Sequence, residues 1–243
     1  VDDYEMKISH VIRGEDHLAN TPKHILLMEA LGFPVPQFAH LPLLLGPDRS
    51  KLSKRHGATS IAEYRSQGYL PEAMVNFLAL LGWNPGGERE ILSKEELIGL
   101  FSLEKVQKSG GVFDVQKLDW MNGEYIRKKS PEELTKLITP FIETLAVNAH
   151  EDISVRDIVT LEQPRLKRLS EIGERAGFFF KAPEYDKELL RWKKMSDAQG
   201  ALLWPLRAAL SGKKASPGPF EIMKILGTDE SIRRIQYAKE KLA

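Results

Sequence analysis

Residues 43 to 57 form the stretch of this sequence whose residue types most strongly suggest chemistry. An apolar run that predicts a buried strand, Leu41 to Leu45, ends in a Gly-Pro-Asp turn, and five basic or potentially basic side chains follow within eight residues. Because ligands of open α/β sheets bind beyond the carboxyl ends of the strands, Lys51, Ser53 and Lys54 are placed to meet a polyanion. A loop that simply faces water explains the same composition equally well.

The segment before this cluster predicts a strand, a helix and a second strand. Residues 7–13 and residues 38–45 have the apolar character of strands. Between them, Thr21 and Pro22 predict a helix start, with Thr21 as the N-cap, and the helix continues to about Leu31. A strand, helix and strand in this order favour a parallel sheet with a site at the strand ends.

The polar segment Arg13 to His17 follows the first strand, just as the basic segment follows the second. The two segments can therefore face one crevice. A surface ion pair of Arg13 with Glu15 or Asp16 is the alternative interpretation.

The string Lys51-Leu52-Ser53-Lys54-Arg55 resembles the mobile "KMSKS" loop of class I aminoacyl-tRNA synthetases, in the variant that bacterial glutamyl-tRNA synthetases use. The flanking Pro-Asp-Arg-Ser and His-Gly-Ala sequences are also similar to that family. The resemblance implies that all five residues of the string bind ATP. It also implies that Lys51, Ser53 and Lys54 are catalytic, because they would stabilise charge that builds on the ATP phosphates, with Mg²⁺ as the counter-ion.

The stretch from Val11 to His24 is similar to a characteristic segment of the same family, in which an Arg and the residue four later line the glutamate pocket. The resemblance places these roles on Arg13 and His17. A guanidinium suits this role because it can bind a carboxylate through two parallel hydrogen bonds.

Helical patterns dominate after Ala58, and Ser93 with Glu96 forms a capping-box sequence. Residues 81–85, 112–114 and 117–122 resemble the family's stem-contact region, which docks the inner corner of the tRNA. We expect Trp83 and Trp120 to be packing residues.

Ser130 and Pro131 predict a helix start and a domain boundary, and the remaining chain is expected to be helical. Its basic residues are expected to lie on solvated faces. Residues 205–220 join a helix to a basic, proline-rich loop with an exposed aromatic residue, a combination that reads single-stranded RNA. The resemblance assigns anticodon contact to five residues of this stretch, Arg207, Ser216, Pro217, Pro219 and Phe220.

Composition limits the range of functions. The 243 residues are 42% hydrophobic and 28% charged, as in ordinary globular proteins, and suggest two or three packed units. A net charge of +1 makes the chain no general polyanion binder, and the absence of cysteine excludes disulfides, cysteine-bound zinc and a thiol nucleophile. The sequence predicts no membrane span and no signal peptide, so the expected location is the cytoplasm.

The predicted fold is mainly α with a partial α/β unit. Residues 1–57 would be the C-terminal part of a Rossmann-type catalytic domain that ends in the KMSKS-like loop. Residues 58–129 would form the stem-contact region, and residues 130–243 an all-α anticodon-binding region. The resemblance implies ATP-dependent activation of L-glutamate and its transfer to the 3′ end of tRNA(Glu), by a monomer without a resident metal.

Two departures from the family pattern qualify this prediction. No His-x-Gly-His string occurs, and the first half of the catalytic domain, which holds that signature, is missing. The helical stretch between residues 194 and 200 is also shorter than in the family. We therefore expect this chain to be catalytically incomplete alone, and a non-catalytic tRNA-binding module is the rival hypothesis. A glutamate-transferring paralogue that modifies tRNA is disfavoured, because such proteins resemble only the catalytic half.

The sequence leaves three questions open. It does not decide whether the enzyme charges only tRNA(Glu) or also tRNA(Gln). The missing N-terminal half and the short 194–200 junction can each reflect either a truncated sequence or a real difference from the family. The oligomeric state follows only from the resemblance.

Overall fold

The computed structural model describes residues 1–53, 55, 57, 60–146, 153–191 and 198–242. These residues divide into two compact units, one built from 1–65 with 70–121 and the other from 66–69 with 122–243. The described structure is mainly α-helical with a few short strands, which confirms the predicted fold class.

The first unit begins with the predicted strand, helix and strand. After the short helix α1 (Asp2–Glu5), strand β1 (His10–Gly14) leads through a 3₁₀ helix (Glu15–Asn20) into helix α2 (Thr21–Ala30), and β2 (Gln37–Leu41) lies parallel to β1. The described strands of this sheet number two, and Arg13 is the register partner of His40.

Both strands are shorter than predicted, for backbone reasons. Lys7 has a φ of 54°, in the left-handed region, so extended strand structure cannot include it. Strand β1 begins at His10. The apolar run is not one buried strand, because Pro42 has no N–H group to donate. Strand β2 therefore ends at Leu41, and Leu44–Leu45 forms a separate strand, β3, parallel to β4 (Gly111–Val112).

Thr21 is not the N-cap of α2. Asn20 occupies that position without a side-chain capping bond, and Thr21 is the first helical residue. Its hydroxyl instead forms hydrogen bonds with Arg13 of β1 and His40 of β2, and so it does not cap the helix. The helix ends as predicted near Leu31, and Gly32 follows with a φ of 67°.

The core of the first unit comes from its later helices. Helices α3 (Ile61–Ser66), α4 (Pro71–Gly82) and α5 (Lys94–Leu100) follow the basic loop, and α5 starts with the predicted capping box. The large buried hydrophobic side chains of the described chain all lie at or after Tyr64.

Trp83 is buried as expected, but Trp120 is 41% exposed, which contradicts its assignment as a packing residue. Both Leu118 and Met121 of α6 (Val115–Lys128) are fully buried. Trp120 lies about 200° around the helix from Leu118, and so it points away from that face.

The second unit is all helical in its described part. It contains the end of α6 and five further helices: α7 (Pro131–Ala146), α8 (Val155–Glu162), α9 (Glu171–Phe180), α10 (Ala198–Ser211) and α11 (Pro219–Leu242). The Ser130 hydroxyl accepts a bond from the Glu133 N–H at 3.2 Å, so α7 starts as predicted. Helix α11 is kinked at Gly227, where φ is 76°.

Candidate active site and nucleic-acid interface

Arg13 lies near the carboxyl end of β1 and is held by side chains of β2 and α2. Because side chains alternate along a strand, Phe38 and His40 share the face of β2 next to it. The guanidinium carbon lies 5.4 Å from the centroid of the Phe38 ring. Arg13 Nη2 donates to Thr21 Oγ1 at 2.9 Å, and Nη1 lies 3.5 Å from His24 Nδ1. The guanidinium is therefore fixed in position by the protein itself.

The alternative ion pairs of Arg13 do not form in this structure. Glu15 Oε1 instead accepts a hydrogen bond from the main-chain N–H of Leu43 at 3.1 Å. Asp16 Oδ2 lies 2.9 Å from Lys51 Nζ, and this hydrogen bond holds the pKa of Asp16 below its ordinary value.

His17 occupies the 3₁₀ helix that follows β1. Its side chain is exposed, and its main-chain carbonyl accepts a hydrogen bond from Thr21 Oγ1 at 3.2 Å.

The basic loop folds back along β3. The N–H of Leu52 donates to the carbonyl of Leu44, and Lys51 forms an antiparallel bridge with Leu45. Together with the ion pair between Lys51 and Asp16, this fold brings the loop to the segment that follows Arg13. The two polar segments that the sequence predicted to face one crevice therefore meet here.

The turn at the start of this loop is stabilised internally. Asp48 Oδ1 accepts bonds from the N–H and the hydroxyl of Ser50, at 3.0 and 2.7 Å. Arg55 donates to the Ser50 hydroxyl and lies 3.6 Å from Asp48. Leu52 and Ser53 are half-buried, whereas the predicted catalytic residue Lys54 lies outside the described residues.

The predicted anticodon contacts lie around the α10–α11 connection and differ in exposure. Arg207 lies over the Trp204 ring at 4.9 Å and donates to the Lys214 carbonyl at 2.9 Å. Phe220, in the first turn of α11, is 67% exposed. The other three predicted contacts, Ser216, Pro217 and Pro219, are buried. Arg207 and Phe220 are thus the side chains of this set that a ligand could reach from solvent.

A cavity of about 530 Å³ adjoins this connection. Five basic residues line it: Arg165, Arg168, Arg175, Lys213 and Lys214. Arg165 is exposed, as the sequence predicted, and Arg168 and Arg175 are half-buried. Glu162 also lines the cavity and is 1% exposed, and its Oε2 atom has no hydrogen-bond partner among the described residues. Burial raises the pKa of Glu162, although Arg165, Arg175 and Lys213 oppose the shift.

Sequence reasoning missed Thr21, Phe38 and His40 around Arg13, and Glu162 in the basic cavity. The alternation of side chains along β2 could have predicted the positions of Phe38 and His40. Glu162 follows Ile158 by four residues, on the apolar face of α8, and this spacing was the available signal.

The described residues contain no group of three or more His, Asp or Glu side chains that could hold a metal ion. None of the described helices is long and apolar enough to cross a membrane.

Comparison with known proteins gives matches along nearly all of the chain. A family model described as "tRNA synthetases class I (E and Q), catalytic domain" matches residues 1–120. A second, described as "Anticodon binding domain", matches residues 133–202 and 198–239. These matches follow the order that the sequence resemblance predicted, with the catalytic-domain match first and the anticodon-binding-domain match last.

Individual proteins match over the same extent. The glutamate--tRNA ligase of Moorella thermoacetica is 39% identical over 98% of this chain and 57% of its own length. Glutamate--tRNA ligase 1 of Caldanaerobacter subterraneus is 42% identical over 98% of this chain and 58% of its own length. The crystal structure of a glutamate tRNA ligase from Elizabethkingia meningosepticum, in complex with its amino acid, matches with a TM-score of 0.83 and 32% identity, over 100% of this chain and 59% of that chain.

The chain thus spans 57–59% of the length of the proteins it matches. The alignment with the Moorella protein covers 281 residues, more than the 243 of this chain, so the relative has segments that this chain lacks. The anticodon-binding family matches in two pieces that meet at residues 198–202, next to the junction that the sequence marked as short.

Proposed function

Because this chain belongs to the glutamyl-tRNA synthetase family of class I aminoacyl-tRNA synthetases, we propose that it is part of an enzyme that activates L-glutamate with ATP and transfers it to the 3′ end of tRNA(Glu). One observation supports this most directly. Lys51 of the basic loop pairs with Asp16, which lies three residues after Arg13, and the guanidinium of Arg13 is held by Thr21. Such chemistry depends on positioning and charge stabilisation and needs no covalent nucleophile.

In this proposal Arg13 binds a carboxylate of glutamate, and His17 lines the same pocket. The contacts of Arg13 leave donors available, because a guanidinium has five N–H groups. Its buried Nε has no hydrogen-bond partner among the described residues. Because Nε is buried, a bound carboxylate would be held by the remaining N–H groups of the two terminal nitrogens.

Lys51, Ser53 and Lys54 would stabilise the ATP phosphates, and Leu52 and Arg55 would complete the ATP-binding loop. The ion pair of Lys51 with Asp16 is exposed at both side chains, and exposed pairs contribute little to stability. Lys51 can therefore exchange the Asp16 carboxylate for a phosphate at small cost.

We propose that Mg²⁺ enters the site only when it is bound to ATP. The described residues offer no cluster of carboxylates or histidines that would hold the ion. Mg²⁺ commonly binds through substrate phosphates and retained waters, so ATP could bring it to the site.

We propose that the chain has three functional regions: a catalytic region in residues 1–57, a stem-contact region in 58–129 and an anticodon-binding region in 130–243. Arg207 and Phe220 would contact anticodon bases directly, and the buried residues Ser216, Pro217 and Pro219 would shape the loop. We propose the cytoplasm, where translation consumes the product, as the compartment, and a monomer as the active unit.

A second candidate function is a tRNA-binding module without catalysis. The match of residues 133–202 and 198–239 to an anticodon-binding domain supports it, because tRNA binding through these residues needs no catalytic step. Tests must therefore separate this chain from the complete enzyme, which here means the chain together with any polypeptide that supplies the rest of the catalytic domain.

Glutamate-dependent pyrophosphate exchange separates the two functions. The chain alone should show no exchange but should bind tRNA with an affinity that falls steeply with salt, because phosphate contacts release counterions. The complete enzyme should show exchange that requires glutamate and ATP. A complete enzyme that binds tRNA but gives no exchange would reject the catalytic proposal, and exchange by the chain alone would refute its predicted incompleteness.

A further inference from the structure

The hydroxyl of Thr21 is the point where β1, β2 and α2 meet. It accepts a hydrogen bond from Arg13 Nη2 at 2.9 Å, lies 2.9 Å from His40 Nε2, and lies 3.2 Å from the carbonyl oxygen of His17. Thr21 is only 8% exposed, in a part of the chain whose other side chains are largely accessible. Sequence reasoning gave this residue only a capping role, which the structure excludes.

Counting donors and acceptors fixes the direction of these bonds. A hydroxyl has one hydrogen to donate and two lone pairs that accept. The guanidinium of Arg13 can only donate, and the carbonyl of His17 can only accept. All three bonds form together only if the hydroxyl donates to His17 and His40 Nε2 donates to the hydroxyl. Any other arrangement leaves a poorly hydrated polar group unsatisfied, which costs free energy.

His40 is itself held in place. It is the register partner of Arg13 across the parallel pair, and its ring is nearly parallel to that of Phe38, at 9° and 6.5 Å between centroids. Phe38 also lies beneath the guanidinium of Arg13. The second anchor of Arg13, His24, is exposed, and its contact is longer, at 3.5 Å. The Thr21 hydroxyl, supported by His40, is therefore the stronger constraint on the guanidinium.

We propose that Thr21 and His40 are positioning residues that fix the Arg13 guanidinium for a substrate carboxylate, with His40 carrying its proton on Nε2. Neither residue needs to touch the substrate. The inference rests on the proposed function, because it takes the ligand of Arg13 to be the carboxylate of glutamate. A purely structural role, in which the two residues only tie α2 to the sheet, is the alternative.

The first test examines the hydrogen bonds in the chain itself and needs no activity. Nitrogen-15 magnetic resonance at about pH 9, where histidine is ordinarily neutral, should show the His40 ring as the Nε2–H tautomer. Thr21→Val, which keeps the shape of the side chain but removes the hydroxyl, should change the nitrogen-15 chemical shifts of the His40 ring. An Nδ1–H tautomer in the unaltered chain would overturn the proposal.

The second test uses pyrophosphate exchange in the complete enzyme. Thr21→Val should raise the KM for glutamate about tenfold, the expected effect of losing roughly one hydrogen bond at Arg13, and should leave the KM for ATP within about twofold. Thr21→Ser should restore most of the glutamate affinity, because it returns the hydroxyl. His40→Gln should be milder than His40→Leu, since the amide can still donate. The matched control is Thr135→Val, which removes a half-buried hydroxyl from α7 in the other unit.

The outcomes separate the inference from the function on which it rests. The positioning role is wrong if Arg13→Lys raises the KM for glutamate but Thr21→Val does not. It is also wrong if Thr21→Val raises the KM for glutamate and the KM for ATP alike. In both cases the proposed function stands. If Arg13→Lys leaves the KM for glutamate unchanged, the assignment of Arg13 fails and the positioning role fails with it.

Discussion

Replacing Arg13 by Lys is the sharpest test of the amino-acid pocket. Thr21 and the Phe38 ring hold the guanidinium in one orientation. An arginine in that state can form two parallel hydrogen bonds to a carboxylate. Lysine keeps the positive charge but has no planar fork, so it replaces a two-point contact by a single charge.

The size of the effect follows from the bond that is lost. One hydrogen bond to a charged group contributes about 1.5–3 kcal/mol. Because about 1.4 kcal/mol corresponds to a factor of ten, the KM for glutamate should rise about 10- to 150-fold. The contact with Phe38 contributes about 0.5–1 kcal/mol at an accessible site, and its loss would move the result toward the upper limit. The KM for ATP should change less than about twofold, since the phosphates are assigned to a different segment.

Pyrophosphate exchange in the complete enzyme measures both constants, with one substrate titrated while the other is saturating. The matched control is Arg89→Lys, the same substitution at an exposed arginine of the first unit that pairs with Glu96. It should change neither constant. Circular dichroism should show that both variants remain folded. If Arg13→Lys leaves both constants unchanged, or raises them equally, then Arg13 is not part of a glutamate pocket.

Three further predictions address other parts of the chain. Lys54→Ala should lower the exchange rate of the complete enzyme roughly 100-fold while the KM for glutamate stays nearly constant, because its charge is needed as phosphate charge develops; a change below about threefold would place Lys54 in an ordinary solvated loop. Phe220→Ala should weaken tRNA binding by about 1–3 kcal/mol and make cognate and altered anticodons bind almost alike, as filter binding can measure, whereas full discrimination by the folded variant would contradict base stacking on this ring. Burial raises the pKa of Glu162 above its ordinary value of 4.5. The folded state therefore binds the Glu162 proton more tightly than the unfolded state does. The resulting stabilisation of the folded state is present below pH 4.5 and is lost as the pH rises through the raised pKa. Melting temperatures between pH 4 and 8 should therefore fall less in Glu162→Gln than in the unaltered chain, and the exposed cavity residue Glu174, replaced in the same way, is the control; equal slopes would refute the argument.

The order of elements in the first unit was predictable from the sequence because each signal was local. Apolar runs, the Thr-Pro helix start and the Gly-Pro-Asp turn each depend on a few neighbouring residues, and the strand, helix, strand and loop occur in the predicted order. The ends of the strands were less predictable. The backbone of Lys7 and the missing N–H of Pro42 shortened them, and an apolar pattern does not register either effect.

The contacts around the candidate site depend on residues that are distant in the chain. Thr21 looked like a cap because a threonine before a proline is a local signal, but its partners are eight residues before it and 19 residues after it. The spacing of the basic residues near Arg165 correctly predicted that Arg165 and Lys167 are exposed, but it did not reveal the buried carboxylate of Glu162. Such features follow from tertiary packing, which one sequence without the fold does not specify.

The hydrogen bonds at Thr21 also link the site to the folding of the chain. A site whose key side chain is held by two strands and a helix cannot exist while any one of these segments is unfolded. A ligand that binds Arg13 therefore stabilises β1, α2 and β2 together, by mass action on the folded form.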